Sequence, residues 1–285
     1  MTQHLSPLRY PGGKTAISPL VSKIISENGF FKSHYAEPFA GGAGLALSLL
    51  FQEKVHEIHL NDIDRSIWSF WDTIINHTDK FIEKLMCTPI TMDEWYQQKE
   101  IQHNKSHYAD FEVGFSTFFL NRTNHSGIIL KAGVIGGYRQ NGQYKLHCRF
   151  NKKKLIERIK QIEKYKHRIH LYKLDAVEFL QHTSTTPMGK LIYYIDPPYY
   201  LKGATLYTNF YKHKDHQMLS EKIMSLSHPW ILTYDNSPEI ELLYSSLRQY
   251  RFHLNYSAAR KRVGTELMIL SSKLKVTAEM ALTTA

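Results

Sequence analysis

The residues with the clearest chemical purpose are Asp196–Pro197–Pro198–Tyr199, directly after the apolar run Leu191–Ile195. Two prolines stop a strand from continuing and fix the backbone beyond its carboxyl end. In an open α/β sheet that edge is where ligands bind. A carboxylate, a proline carbonyl and an aromatic face converge there. The set suits an exocyclic amino group on a nucleobase swung out of its stack. Asp196 and the Pro197 carbonyl would accept its two N–H groups, and Tyr199 would stack on the ring. Such a nitrogen is a poor nucleophile because its lone pair is delocalised into the ring. Acceptors that hold both N–H groups favour a tetrahedral nitrogen and stabilise the charge that develops on alkylation. In isolation the tetrapeptide also reads as a Pro-Pro turn after a core strand, with Asp196 as a cap.

Three further segments carry ligand-binding residue types. Glu37–Pro38–Phe39–Ala40–Gly41–Gly42–Ala43–Gly44 follows a strand pattern and precedes a helix, so its backbone can approach a ligand closely. The spacing is not the G-x-G-x-x-G of dinucleotide sites. Asn61–Asp62 ends the next strand and offers a carboxylate to ribose hydroxyls, with Asp175 in a similar place toward an adenine amine. Leu8–Arg9–Tyr10–Pro11–Gly12–Gly13–Lys14 is a Pro-Gly-Gly loop that brings an aromatic face and a cation to the start of a helix.

The elements needed to position these groups alternate between strand and helix. Lys14–Glu27 reads as an amphipathic helix, Tyr35–Phe39 as a strand and Leu45–Phe51 as the helix after the glycines. Glu57–Asp62, Ile169–Lys173, Leu191–Ile195 and Trp230–Tyr234 read as further strands. Leu254–Ala258 and Glu266–Ser271 form a last pair around the basic turn Arg260–Gly264. Arg65–Arg122 is mostly helical, with Thr91–Glu94 as a capping box, and Asn151 caps a basic helix, Lys152–Lys164. Gly127–His147 contains Asn141–Gly142 among glycines and β-branched residues, which predicts a hairpin. The fold expected is α/β and doubly wound, with residues 66–164 inserted between 1–65 and 165–285.

Composition narrows the function classes. The 285 residues carry 36 Lys+Arg against 26 Asp+Glu, a net charge of +10, which favours a polyanionic partner. The longest apolar run, near Leu45–Phe51, is too short to span a bilayer, and Met1–Arg9 lacks the apolar core of a signal peptide. Two cysteines, Cys87 and Cys148, provide neither a disulfide framework nor a zinc cluster, and a cytoplasmic setting is expected. Neither cysteine lies on a Pro-Cys turn, which excludes the nucleophile of cytosine ring-carbon methylation. Of the sixteen histidines, His103 and His107 lie four apart without a third ligand, so no metal is expected.

In chain order these segments resemble the bacterial DNA adenine methylase family, over nearly the whole chain. The resemblance implies a Rossmann-like S-adenosylmethionine-dependent methyltransferase sheet with a mainly helical inserted target-recognition lobe. It also implies that Tyr10, Lys14, Phe39, Gly41 and Asp62 contact the cofactor S-adenosyl-L-methionine, with Asp196 at both cofactor and target base. Tyr10 stands where Trp is frequent in the family. The expected activity is site-specific methylation of adenine N6 in double-stranded DNA, by a monomer that can be paired with a cognate restriction enzyme.

Sequence readout is expected from Arg122–Arg149, whose side chains at Arg122, Asn124, Arg139, Gln140, Asn141 and Lys145 are of the types that reach base edges and phosphates. Lys152 and Arg260 would hold phosphates. An RNA adenine methyltransferase shares the tetrapeptide chemistry. A cytosine-N4 enzyme does too, although its tetrapeptide usually begins with Ser. A catalytically silent DNA-binding protein is the non-enzyme alternative, against which Lys14, Asp62, Asp196 and Tyr199 all stand.

Overall fold

Short apolar runs bounded by turn residues become the strands of one sheet. The computed structural model describes residues 5–10, 13–201, 211–256, 262–276 and 283–284. Strands β1 (His34–Glu37), β2 (Glu57–Asn61), β3 (Ile169–Tyr172), β4 (Leu191–Ile195) and β5 (Trp230–Asp235) run parallel in the order β3-β2-β1-β4-β5. Beyond β5 lie β7 (Arg262–Leu270), β6 (Arg248–Tyr256) and the two-residue β8 (Thr283–Thr284), all joined by antiparallel pairing. β4 is buried at every position, as its uninterrupted apolar sequence requires of a strand covered on both faces. The chain winds outward through β1, β2 and β3 and then returns to lay β4 beside β1. The carboxyl ends of β1 and β4 therefore flank the crevice where strand order reverses.

The chain forms two compact units. Of the described residues, one unit contains 5–10, Gly13 and Asp64–His167; the other contains Lys14–Ile63 and those from Arg168 onward. Helices α1 (Ser18–Glu27) and α2 (Gly44–Phe51) belong to the sheet unit. Helices α3 (Arg65–Asn76), α4 (Thr78–Cys87), α5 (Met92–His103), α6 (Asp110–Thr123) and α7 (Lys152–Lys164) build the other. Helices α8 (Ala176–Thr185), α9 (His213–Met224) and α10 (Pro238–Leu243) return to the sheet.

Local signals set these helix starts. The Thr91 and Asn151 side chains accept from the Glu94 and Lys154 backbone N–H groups, capping α5 and α7. The core of the helical unit is aromatic, with Phe81 and Phe118 ring centroids 5.2 Å apart in an edge-on contact. No helix among the described residues is long and apolar enough to cross a membrane.

Three expectations change. Lys14–Glu27 does not begin as α-helix: Lys14–Ile17 is a 3-10 turn, and α1 starts at Ser18 with Pro19 in its first turn, where a missing N–H is harmless. Residues 127–147 form no hairpin. They fold as successive turns closing on a 3-10 helix, Leu146–Arg149, with one bridge between Asn124 and Val134. The reason is local. Gln140 adopts φ 49°, and its side chain donates to the Ile135 carbonyl and accepts from the Leu146 N–H. Those backbone groups would otherwise be available to a ladder. Third, His103 ends α5 whereas His107 belongs to a separate 3-10 turn.

Candidate active site

Asp196 leaves the carboxyl end of β4 and is gripped from two sides. The Lys14 ammonium lies 2.9 Å from each of its carboxylate oxygens, and the Thr233 hydroxyl on β5 donates to Oδ1 at 2.8 Å. The same ammonium donates to the Tyr199 hydroxyl at 3.3 Å and stands 3.4 Å from Glu266 Oε2 on β7. Tyr199 in turn donates to Glu266 Oε1 at 2.5 Å. The Lys14 and Glu266 side chains are 3% and 1% exposed, whereas Asp196 is 24% exposed. A closed network thus ends in one carboxylate that reaches solvent. A carboxylate has about four lone-pair positions, and three contacts occupy three of them. One position on Oδ2 remains for a substrate N–H.

Burial works against the Lys14 charge, but Asp196 and Glu266 outweigh it and hold the ammonium charged well above the ordinary lysine range. Burial pushes Glu266 up to about 7, opposed by Lys14 and reinforced by Asp196. Glu37, at the end of β1, accepts from the Tyr35 hydroxyl at 2.9 Å. Burial pushes it up to about 8, with the Tyr35 bond opposing and the Asp196 charge adding. One ammonium therefore faces three carboxyl groups, and Glu37 carries a proton at neutral pH.

A pH effect follows from Glu37. Between its ordinary value of 4.5 and about 8, the unfolded chain is ionised there while the folded chain keeps the proton. The folded state binds more protons, so this group subtracts stability as pH rises through that window. Glu37→Gln keeps the acceptor for Tyr35 and has no proton to lose. Its stability advantage over wild type should grow between pH 6 and 8.5, on the order of 1–3 kcal/mol in denaturant titrations. An advantage independent of pH would contradict the buried neutral acid.

The glycine turn is placed from below. Asn61, 1% exposed, donates to the Pro38 and Leu174 carbonyls and accepts from the Leu174 N–H. It thereby ties together the chain segments leaving β1, β2 and β3. Gly41 has φ 45° and donates its N–H to Asp62 Oδ2 at 2.9 Å, a conformation that suits glycine. A Cβ on Gly44 would stand 2.5 Å from the Thr15 hydroxyl, so α2 approaches the turn bearing Lys14 as closely as it does only without a side chain.

Asp175 caps α8 through the Val177 N–H and lines a cleft with Val177, Tyr211, Asp215 and Met218. The Phe39 and Tyr211 rings meet edge-on at 5.8 Å. Asp175, Asp215 and Asp62 all raise the Tyr211 hydroxyl pKa, after burial. Phe39, Asp62, Asp175 and Tyr211 are thus neighbours at one edge of the sheet. Aromatic faces offer stacking surfaces and the carboxylates accept hydrogen bonds, a combination that can take up an adenosine group.

The remaining sequence-predicted residues are placed as follows. Tyr10 belongs to the helical unit. The Tyr199 ring, read as a stacking face, is turned inward at 5% exposure because buried Glu266 takes its hydroxyl as a donor. Asn124 is 1% exposed and fully engaged: it accepts from Trp95 Nε1 and donates to the Ile128 and Ile129 carbonyls. That corrects its assignment as a base reader.

Arg122, read as reaching base edges or phosphates, is buried on α6. Burial brings its pKa down to about 9, with Arg158, Arg9 and Arg149 adding, and its Nε and Nη2 have no hydrogen-bond partner among the described residues. Gln140 is spent within its own turn, and Lys145 donates to the Gln140 carbonyl. Lys152 donates to the Met86 and Thr88 carbonyls at the end of α4, so its ammonium is partly committed. Arg139 is exposed. Arg260 and residues 11–12 lie outside the described residues.

Four residues of the sheet unit were not found by sequence reasoning: Glu266, Thr233, Tyr211 and Asp235. Asp235 accepts from the Tyr200 and Leu201 N–H groups at 2.8 and 2.9 Å and anchors the chain after the tetrapeptide. The available signal was an acidic residue inside or ending an otherwise apolar strand pattern, which fits both Glu266 and Asp235.

The strand order, with a carboxylate network at its reversal and an aromatic cleft alongside, defines the class as a doubly wound α/β fold. The family model described as D12 class N6 adenine-specific DNA methyltransferase matches residues 10–261, and the chain belongs to that family. Membership makes it an adenine methyltransferase. No curated protein sequence matches the chain. Solved structures that match include a proposed RNA methyltransferase of Pyrococcus horikoshii, at TM-score 0.44 and 10% identity over 93% of this chain and 87% of that one. The rRNA methyltransferase aviRa of Streptomyces viridochromogenes matches at TM-score 0.39 and 12% identity, over 92% and 85% of the two chains.

Proposed function

We propose that the protein transfers a methyl group from S-adenosyl-L-methionine to N6 of adenine in double-stranded DNA. The observation that carries this reading is the position of Asp196, at the strand-order reversal, with one acceptor position left by Lys14 and Thr233. Asp196 and the Pro197 carbonyl hold the amino group, and Asp196 stabilises the positive charge that grows on nitrogen as it is alkylated. Lys14 and Thr233 fix the carboxylate before substrate arrives, so little reorganisation is required at the moment of reaction. Tyr199 and Glu266 position Lys14. Bound S-adenosyl-L-methionine supplies an activated methyl sulfonium. Phe39, Gly41, Asp62, Asp175 and Tyr211 would hold its adenosine, and the Asp62 carboxylate suits the ribose hydroxyls.

Duplex DNA as acceptor is supported by the +10 charge, the helical unit between the glycine turn and the tetrapeptide, and the family description. Arg122, with Arg9, Arg149 and Arg158 near it, adds to the positive charge of the helical unit. Exposed Arg139 is retained as a reader of sequence. Lys145 and Lys152 serve the phosphate backbone with whatever donors their internal bonds leave.

Methyl-labelled cofactor offered with duplex DNA, single-stranded DNA and duplex RNA tests the proposal. Label recovered as N6-methyladenine from duplex DNA is the expected result. Label confined to RNA would overturn the DNA assignment. Label in no acceptor, with the cofactor bound, would favour a silent DNA-binding protein.

A further inference from the structure

At the end of the sheet opposite Asp196, the amino-terminal residues of three adjacent strands bring a second polar cluster together. Strand register pairs His34 with Glu57 and His59 with His170. Because side chains alternate along a strand, Glu57 and His59 share a face, and their register partners His34 and His170 share it with them. His34 Nδ1 lies 3.0 Å from His59 Nε2 and 3.7 Å from Glu57 Oε2. The ligand atoms of His34, Glu57 and His59 all lie within 4.8 Å of one another. Around a tetrahedral zinc with bonds of about 2.0–2.1 Å, neighbouring ligand atoms stand roughly 3.3 Å apart.

The surroundings match what a metal site needs. His59 is 4% exposed, and its other ring nitrogen lies 3.1 Å from the Tyr172 hydroxyl, a bond that orients the ring and sets which nitrogen faces His34. His170 Nε2 lies 2.6 Å from Glu57 Oε2, and the His59 and His170 rings stack at 4.6 Å. His56 Nε2 approaches the other Glu57 oxygen at 3.7 Å. Two ring nitrogens facing each other at 3.0 Å need a proton or a cation between them. The His34 and Glu57 side chains are 20% and 25% exposed, so the cluster is open to an entering ion and to a water as fourth ligand.

We propose that His34, Glu57 and His59 bind one zinc ion, with Tyr172 and His170 orienting two of the ligands. Two imidazoles and a carboxylate are a borderline-soft set that suits this ion. The ion would clamp β1 to β2 at their amino ends. Asn61 at the far end of β2 is four residues from Glu57, on the order of 13 Å along the strand. The role is therefore structural and separate from methyl transfer.

Untagged protein stripped with chelator and titrated with zinc should take up one ion per chain, with a rise in thermal midpoint. Cobalt(II) in its place should give the intense visible bands of a tetrahedral site. His34→Ala and Glu57→Gln should each weaken zinc binding at least tenfold and remove the midpoint rise, and circular dichroism would show whether each variant is folded. His103→Ala should bind as wild type does. Methyl transfer should proceed at the same rate in chelator. Zinc uptake unchanged in a folded His34 or Glu57 variant, no uptake by wild type, or an octahedral cobalt spectrum would overturn the site.

Discussion

Asp196→Asn is expected to lower the rate of methyl transfer by at least ~10³-fold while DNA affinity changes little. Asparagine preserves shape, and its carbonyl oxygen still accepts from the Thr233 hydroxyl, which now donates to Oδ1 at 2.8 Å. What disappears is the negative charge facing a nitrogen that becomes positive in the transition state. The amide also offers an NH₂ where the second oxygen stood, so the acceptor left for a substrate N–H becomes a donor. Ground-state DNA binding depends on phosphate contacts, which this change does not touch. Single-turnover kinetics on the best duplex site, beside equilibrium binding, separates the two effects. Turnover within tenfold of wild type would remove Asp196 from the catalytic role.

The largest stability effect is expected from Lys14→Met. Lys14 is the ammonium in contact with both Asp196 and Glu266, and its side chain is 3% exposed. Methionine has similar length and no charge, so the loss is electrostatic rather than a cavity. Breaking a buried pair from one side strands the other charges, at a cost of about 3–5 kcal/mol. The sign with pH is determined. Because the folded-state pKa of Lys14 is raised, its contribution is fully present below the ordinary lysine value of 10.5. In the variant, Glu266, which burial pushes up and which has lost its ammonium partner, recovers only by taking up a proton. The deficit against wild type should therefore shrink as pH falls toward the carboxylate range. Urea titrations at pH 5 and 8 check this; equal deficits at both would show that packing, not charge, was lost. Methyl transfer should fall as well, since Asp196 would retain only Thr233 among the donors that now hold it.

What sequence alone determined about this protein is what neighbouring residues dictate to one another. Strand β4 occupies Leu191–Ile195, the bounds that its apolar run and the following prolines predict, because proline removes the N–H a ladder would need. Helix α7 begins after Asn151 and ends at Lys164 as its cap and periodicity predict. The tetrapeptide and the glycine turn follow β4 and β1 directly, so their placement at one sheet edge comes with the strand order. Tertiary structure decided which side chains meet. Lys14 and Asp196 are 182 positions apart in sequence, and Glu266 joins them only because β7 enters the sheet antiparallel beside β5.

Burial was equally invisible from composition. Asn124 has the chemistry of a base reader, yet packing around Trp95 consumes it internally, since a buried amide must satisfy every donor and acceptor it has. The predicted hairpin failed for a similar reason, the Gln140 side chain competing successfully for backbone groups. The histidine cluster depended on register: His34, His59 and His170 come from three strands, and a slip of one residue would send one of them to the opposite face. Local backbone chemistry is encoded in adjacent residues, whereas pairing across strands and removal from water exist only once the chain has closed on itself.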